Sequence, residues 1–158
     1  VGIGLVIASL MFMKKIGDIT GKRSLVKNLD KKSWPDEKGF PKELREEVFI
    51  KHVKGPLFFG STSDFQQLAG QIPSTASKVI MRLVNMHYLD QSGLYALEDT
   101  LMDLKNKEVE VLFVGLQEQP KYMMERIDII PDLILREHIF EEFDDCVEWI
   151  KQNVEDKY

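Results

Sequence analysis

KVIMRLVNMHYLDQSGLYALEDTL, residues 78–101, changes its hydrophobic period half-way. Lys78 to Val84 is almost continuously apolar, the pattern of a central strand covered on both faces. Leu94, Leu97, Leu101 and Leu104 then recur at steps of three and four, the pattern of a helix with one buried face. Between the two runs stands Asp90, whose carboxylate can accept hydrogen bonds from the open N–H groups of a first helical turn. Gly93 lets that helix start approach neighbouring backbone closely. A strand, a short loop and a capped helix make half of a β-α-β unit, so the flanking sequence decides whether the unit repeats.

It does repeat. VFIKHVKGPLFFG, residues 48–60, reads as two short strands around the turn pair Gly55-Pro56, with Pro56 opening the second. Ser61 and Asp64 resemble a capping box for a helix whose apolar face is Phe65, Leu68, Ala69 and Ile72, with Pro73 just beyond. VEVLFVG, residues 109–115, is a further strand, and Pro120 suits the first turn of a helix carrying Met123, Met124 and Ile127. Leu133–Leu135 is expected as a fifth strand, and a last helix within about residues 141–154 buries Phe143, Val147 and Ile150. The order β-β-α-β-α-β-α-β-α predicts an α/β fold of four to five mixed, mainly parallel strands with about four helices. Such folds carry their sites on loops leaving the C-terminal ends of strands. The loop after Val84, with Asp90, Gln91, Ser92 and Gly93, is therefore the candidate regulatory or interaction loop. Ser92 is either a second polar group at the positive helix end or a modification site, and capping is the preferred reading of the motif.

Composition frames the rest. The chain has 158 residues, 44% hydrophobic content and a formal charge of -5, which suits one domain of ordinary size. Val1 to Met13 carries no charge, and seven of the 21 basic residues follow it between Lys14 and Lys32, against only Asp18 and Asp30. We expect residues 1–13 to be the truncated end of a transmembrane helix and 14–47 a basic juxtamembrane connector on the cytoplasmic side. Residues 48–154 are then the folded domain and 155–158 a tail. From Ser33 onward, 14 basic residues face 24 acidic ones, a poor balance for nucleic-acid binding.

Enzyme signatures are missing from the sequence: no GxGxxG, P-loop or GxSxG occurs. His52, His87 and His138 lack metal-ligand spacing, and the carboxylates of EEFDDCVE read as a solvated helix face. Cys146, the single cysteine, sits among Phe143, Val147 and Ile150 and reads as a buried small hydrophobe. No catalytic residue, metal or cofactor is assigned.

RLVNMHYLDQSGLYALED, with GPLFFGSTSDF before it and VEVLFVG and FDDCVEWI after it, resembles the STAS domains. These occur in anti-sigma factor antagonists and at the C-termini of sulfate-permease (SulP) anion transporters. LDQSGLYALED and GPLFFG are more similar to the transporter branch. The resemblance implies a cytoplasmic domain that transports nothing itself and serves an anion transporter of the sulfate, bicarbonate or dicarboxylate class. Its implied partners are the transmembrane part of the same protein, a second copy or a cytoplasmic protein, with weak nucleotide or anion binding left open. The alternative is a stand-alone antagonist-like signalling module. In that branch the phosphorylated Ser or Thr directly follows the Asp, where this chain has Gln91, which has no hydroxyl to phosphorylate.

Overall fold

The computed structural model describes residues 33–56 and 66–155. The apolar run 1–13, the basic segment 14–32, the strand expected after Pro56, and the Ser61 cap with Asp64 and Phe65 lie outside the described residues. The chain divides into two units, Val1–Lys38 and Gly39–Tyr158. In the first, a 3-10 turn at Pro35–Glu37 is closed by the Glu37 carboxylate, which accepts the Trp34 N–H at 3.0 Å.

The second unit is built on a four-stranded sheet. Its strands are β1 (Val48–His52), β2 (Lys78–Arg82), β3 (Glu110–Val114) and β4 (Ile139–Phe140), in the spatial order β1-β2-β3-β4. All three pairings are parallel. Among the described residues five α-helices accompany them: α1 (Leu68–Gln71), α2 (Gln91–Asn106), α3 (Glu118–Arg126), α4 (Ile129–Asp132) and α5 (Phe143–Glu155). The expected α/β class holds, and every pairing among the described strands is parallel rather than mixed.

Side chains of β2 and β3 alternate between two apolar layers, because successive strand residues point to opposite faces. Val79, Met81, Val111 and Phe113 join the layer of Leu94, Leu97, Leu101 and Leu104 from α2 and Met124 from α3. Ile80, Leu112 and Val114 join the other layer, with Phe143, Cys146, Val147 and Ile150 of α5 and with Phe40 and Leu44. From α1 Leu68 is fully buried, with Ala69 and Ile72 packed on the first layer, as their helical spacing requires. Burying one such Leu or Ile is worth about 1.5–3 kcal/mol, so the two leucine and isoleucine faces dominate the local balance.

One strand expectation fails. Leu133–Leu135 forms no strand; the fourth strand starts at Ile139, after a 3-10 turn at Arg136–His138. The backbone N–H groups of Leu133 and Ile134 both bond to the Ile129 carbonyl at 2.9 Å, closing α4 instead of joining a ladder. The short helix α4 was not expected either; it follows α3 across Asp128, which sits at φ 60°. A three-residue apolar run has no period to separate these outcomes.

α2 ends in a Schellman closure. Glu108 N–H bonds to Lys105 O at 3.0 Å and Val109 N–H to Leu104 O at 2.9 Å, with Glu108 at φ 59°. Glycine holds that backbone region at no steric cost. Glu108→Gly should therefore stabilise the chain by about 0.5–1 kcal/mol, read as a higher urea midpoint at unchanged slope. A lower midpoint would contradict this description of the helix end.

Candidate functional site

The loop between β2 and α2 is fastened by every third residue. Leu83 N–H bonds to Val114 O at 2.8 Å and Met86 N–H to Leu83 O at 2.9 Å, forming a turn as the chain leaves the sheet. Leu83, Met86 and Leu89 are buried, whereas Val84, Asn85, His87 and Tyr88 face solvent. Gly115, just past β3, stands at φ 74°, and a Cβ there would lie 3.1 Å from the Val84 Cβ. The loops leaving β2 and β3 thus touch through a position that only glycine fills without strain.

Asp90 caps the helix as its sequence position predicts. Its backbone is extended (φ −86°, ψ 177°) and its Oδ1 accepts the Gly93 N–H at 2.7 Å. Its carbonyl takes the Leu94 N–H at 2.8 Å, the first rung of the helix. Gly93 is buried, while Gln91 and Ser92 are exposed. Gln91 Nε2 donates to the Tyr95 hydroxyl one turn on, at 3.0 Å. All four predicted residues therefore sit together at the C-terminal end of β2, two facing solvent and two holding the backbone.

Gln119 in α3 completes the support, and sequence reasoning missed it. Its Nε2 donates to the Leu89 carbonyl at 3.0 Å, and its Oε1 accepts the Leu89 N–H at 2.9 Å. One side-chain amide thereby satisfies both backbone groups of the residue before the cap. The available signal was an amide side chain shortly after the strand VEVLFVG, on the loop that neighbours the candidate loop.

Of the other titratable groups, two histidines are at this end of the sheet and a third joins a cluster at the opposite end. His52 closes β1 and His87 is exposed. Lys78 and Glu110, opposite each other at the first residues of β2 and β3, form an ion pair. His138 Nε2 lies 3.4 Å from the other Glu110 oxygen, and its ring meets Trp149 edge-on at 5.0 Å. This cluster stands at the N-terminal ends of the strands, away from Asp90, beside a groove of about 270 Å³ lined by Leu101, Lys105, Leu133 and Leu135. Cys146 is fully buried, and burial pushes its thiol up from 9.0 to about 12, with Arg82 pulling the other way. The thiolate, the reactive form, is thus suppressed at neutral pH. Because the unfolded thiol ionises first, this burial costs stability only as pH rises from 9.0 towards 12.

Two substitutions test the support of the loop. Asp90→Ala should cost about 0.5–2 kcal/mol of unfolding free energy. Gln119→Leu, which leaves two buried backbone groups without their partner, should cost about 1–3 kcal/mol. Chemical denaturation measures both; a pair of neutral variants would remove the cap and the amide clamp as structural elements.

Residues 40–146 match the family model of the STAS domain. Over 99 residues the chain is 28% identical to YvdB of Bacillus subtilis (strain 168), named as a sulfate transporter, covering 62% of this chain and 18% of that protein. The chain thus spans less than a fifth of that relative's length. Among solved structures, a sulfate transporter family protein from Wolinella succinogenes superposes with a TM-score of 0.66 at 23% identity, over 80% of this chain and 99% of that one. The SulP transporter STAS domain from Vibrio cholerae gives a TM-score of 0.59 at 22% identity, over 70% of this chain and 85% of that one. At these identities the two structures establish a shared fold, and the family match extends over more than half of the sequence. The chain belongs to the STAS domain family.

Proposed function

We propose that this STAS domain is the cytoplasmic C-terminal regulatory and interaction domain of a membrane anion transporter, and that it catalyses no reaction itself. The transported anion is of the sulfate, bicarbonate or dicarboxylate class. Residues 48–154 are the domain, 14–47 its basic link to the membrane and 1–13 the end of the last span. The observation that carries this reading is the stretch of 28% identity to a protein named as a sulfate transporter, of which the matched part is only 18%. The uncharged run before the lysine-rich segment agrees with it, since basic residues next to a span favour the cytoplasmic side. Asp90, Gln91, Ser92 and Gly93 form the interaction loop, offered to the transmembrane part of the same protein, to a second copy or to a cytoplasmic protein. Gln91 at the place of a phosphorylated residue weighs against a stand-alone phosphorylation switch.

The test is uptake of labelled sulfate, bicarbonate and dicarboxylate by the full-length gene product, intact and lacking residues 48–154. Deletion should reduce uptake of one of these anions several-fold, or reduce the amount of protein reaching the membrane. Unchanged uptake and abundance, or a gene product without membrane spans, would refute the proposal.

A further inference from the structure

The described residues expose six large apolar side chains, and four of them lie at one end of the sheet. Val84 (40% exposed) and Tyr88 (53%) are in the β2–α2 loop, Tyr95 (50%) is in the first turns of α2, and Tyr122 (59%) is in α3. The other two, Met102 and Leu135, lie further along α2 and beyond α4. Tyrosine is among the residue types enriched at protein contacts, because its large amphipathic ring loses little conformational freedom on binding.

These tyrosines stand on a fixed platform. The Gln119 amide that grips Leu89 joins the residue after Tyr88 to α3, one turn before Tyr122. The Gln91 amide donates to the Tyr95 hydroxyl at 3.0 Å and orients the third ring. A preformed surface of this kind loses little on binding.

The charge around it is acidic on balance, and the excess lies on the β2–α2 loop and α2. Residues 84–99 carry Asp90, Glu98 and Asp99 and no lysine or arginine. Residues 115–126 carry Glu118 and Glu125 against Lys121 and Arg126. Glu125 is engaged by Arg136 at 3.0 Å. The tyrosine faces themselves attract cations, as the Arg126 guanidinium shows by lying 5.8 Å from the centre of the Tyr122 ring. A cationic segment gains from both the rings and the carboxylates, whereas anionic lipid, nucleic acid or an acidic peptide meets repulsion.

We propose that this end of the domain docks a lysine- or arginine-rich protein segment, with Tyr88, Tyr95 and Tyr122 as anchors and the α2 carboxylates Glu98 and Asp99 selecting its charge. The proposal rests on the interaction role assigned above and adds the chemistry of the partner.

The probe is a short fluorescein-labelled peptide of alternating lysine and leucine, titrated with the 158-residue chain and followed by anisotropy. A peptide with glutamate in place of lysine is the charge control. The lysine peptide should bind at least about tenfold more tightly than the glutamate peptide. Combining Tyr95→Ser with Tyr122→Ser should weaken it by about tenfold or more, while Leu135→Ser, another exposed apolar position, leaves it within about twofold. Circular dichroism checks that each variant keeps its fold. Equal binding of the two peptides, no binding at all, or a lysine peptide indifferent to the two tyrosines would overturn the proposal. If deletion of the domain impairs uptake while these peptide results fail, the basic partner falls and the transporter role stands. If uptake ignores the deletion, it is the transporter role that falls.

Discussion

Burial of β2 and β3 on both faces is the constraint on which the rest depends. A parallel sheet needs cover above and below, and neighbouring parallel strands need a crossover between them. The alternation Val79–Ile80–Met81 and Val111–Leu112–Phe113–Val114 sends side chains into two separate apolar layers. One layer is closed by α2 and α3, the other by α5 with Phe40 and Leu44. Each crossover then delivers the chain to the same end of the sheet, so the β2–α2 and β3–α3 loops emerge side by side. Their contact at Val84 and Gly115 follows from that packing.

What forms at that end is a support for a surface, with its polar groups already engaged in holding backbone. The Asp90 carboxylate takes a helix N–H, and the Gln119 amide takes both backbone groups of Leu89. His87 is exposed on this loop, but His138 joins Glu110 and Lys78 at the opposite strand ends and Cys146 is sealed in the core. Also exposed are tyrosines, an amide and a serine, which suit recognition.

Much of this was legible in the sequence because its signals were local or strongly periodic. The leucine spacing of α2, the apolar runs of β2 and β3, and the Asp90 cap each follow from a rule that spans a few residues. The place of Asp90–Gly93 at a helix start was legible for the same reason. Leu133–Leu135 was misread because three apolar residues serve a helix closure as well as a strand, and the choice was made by Ile129, whose carbonyl takes two of their N–H groups. Gln119 and the Lys78–Glu110–His138 cluster were out of reach because their partners are about thirty residues away in sequence. Only the parallel register brings them together.

The Gln119 clamp and the Asp90 cap hold the candidate loop as a rigid part of the core, not as a mobile segment hung on it. Native-state hydrogen exchange of the Leu89 and Gly93 amides tests this most directly, because each is held by a side chain named above. Both should exchange through the same global unfolding as the Ile80 and Leu112 amides of the central strands, with similar opening free energies. Fast exchange at Leu89 and Gly93 through a local opening, with Ile80 and Leu112 still protected, would contradict it.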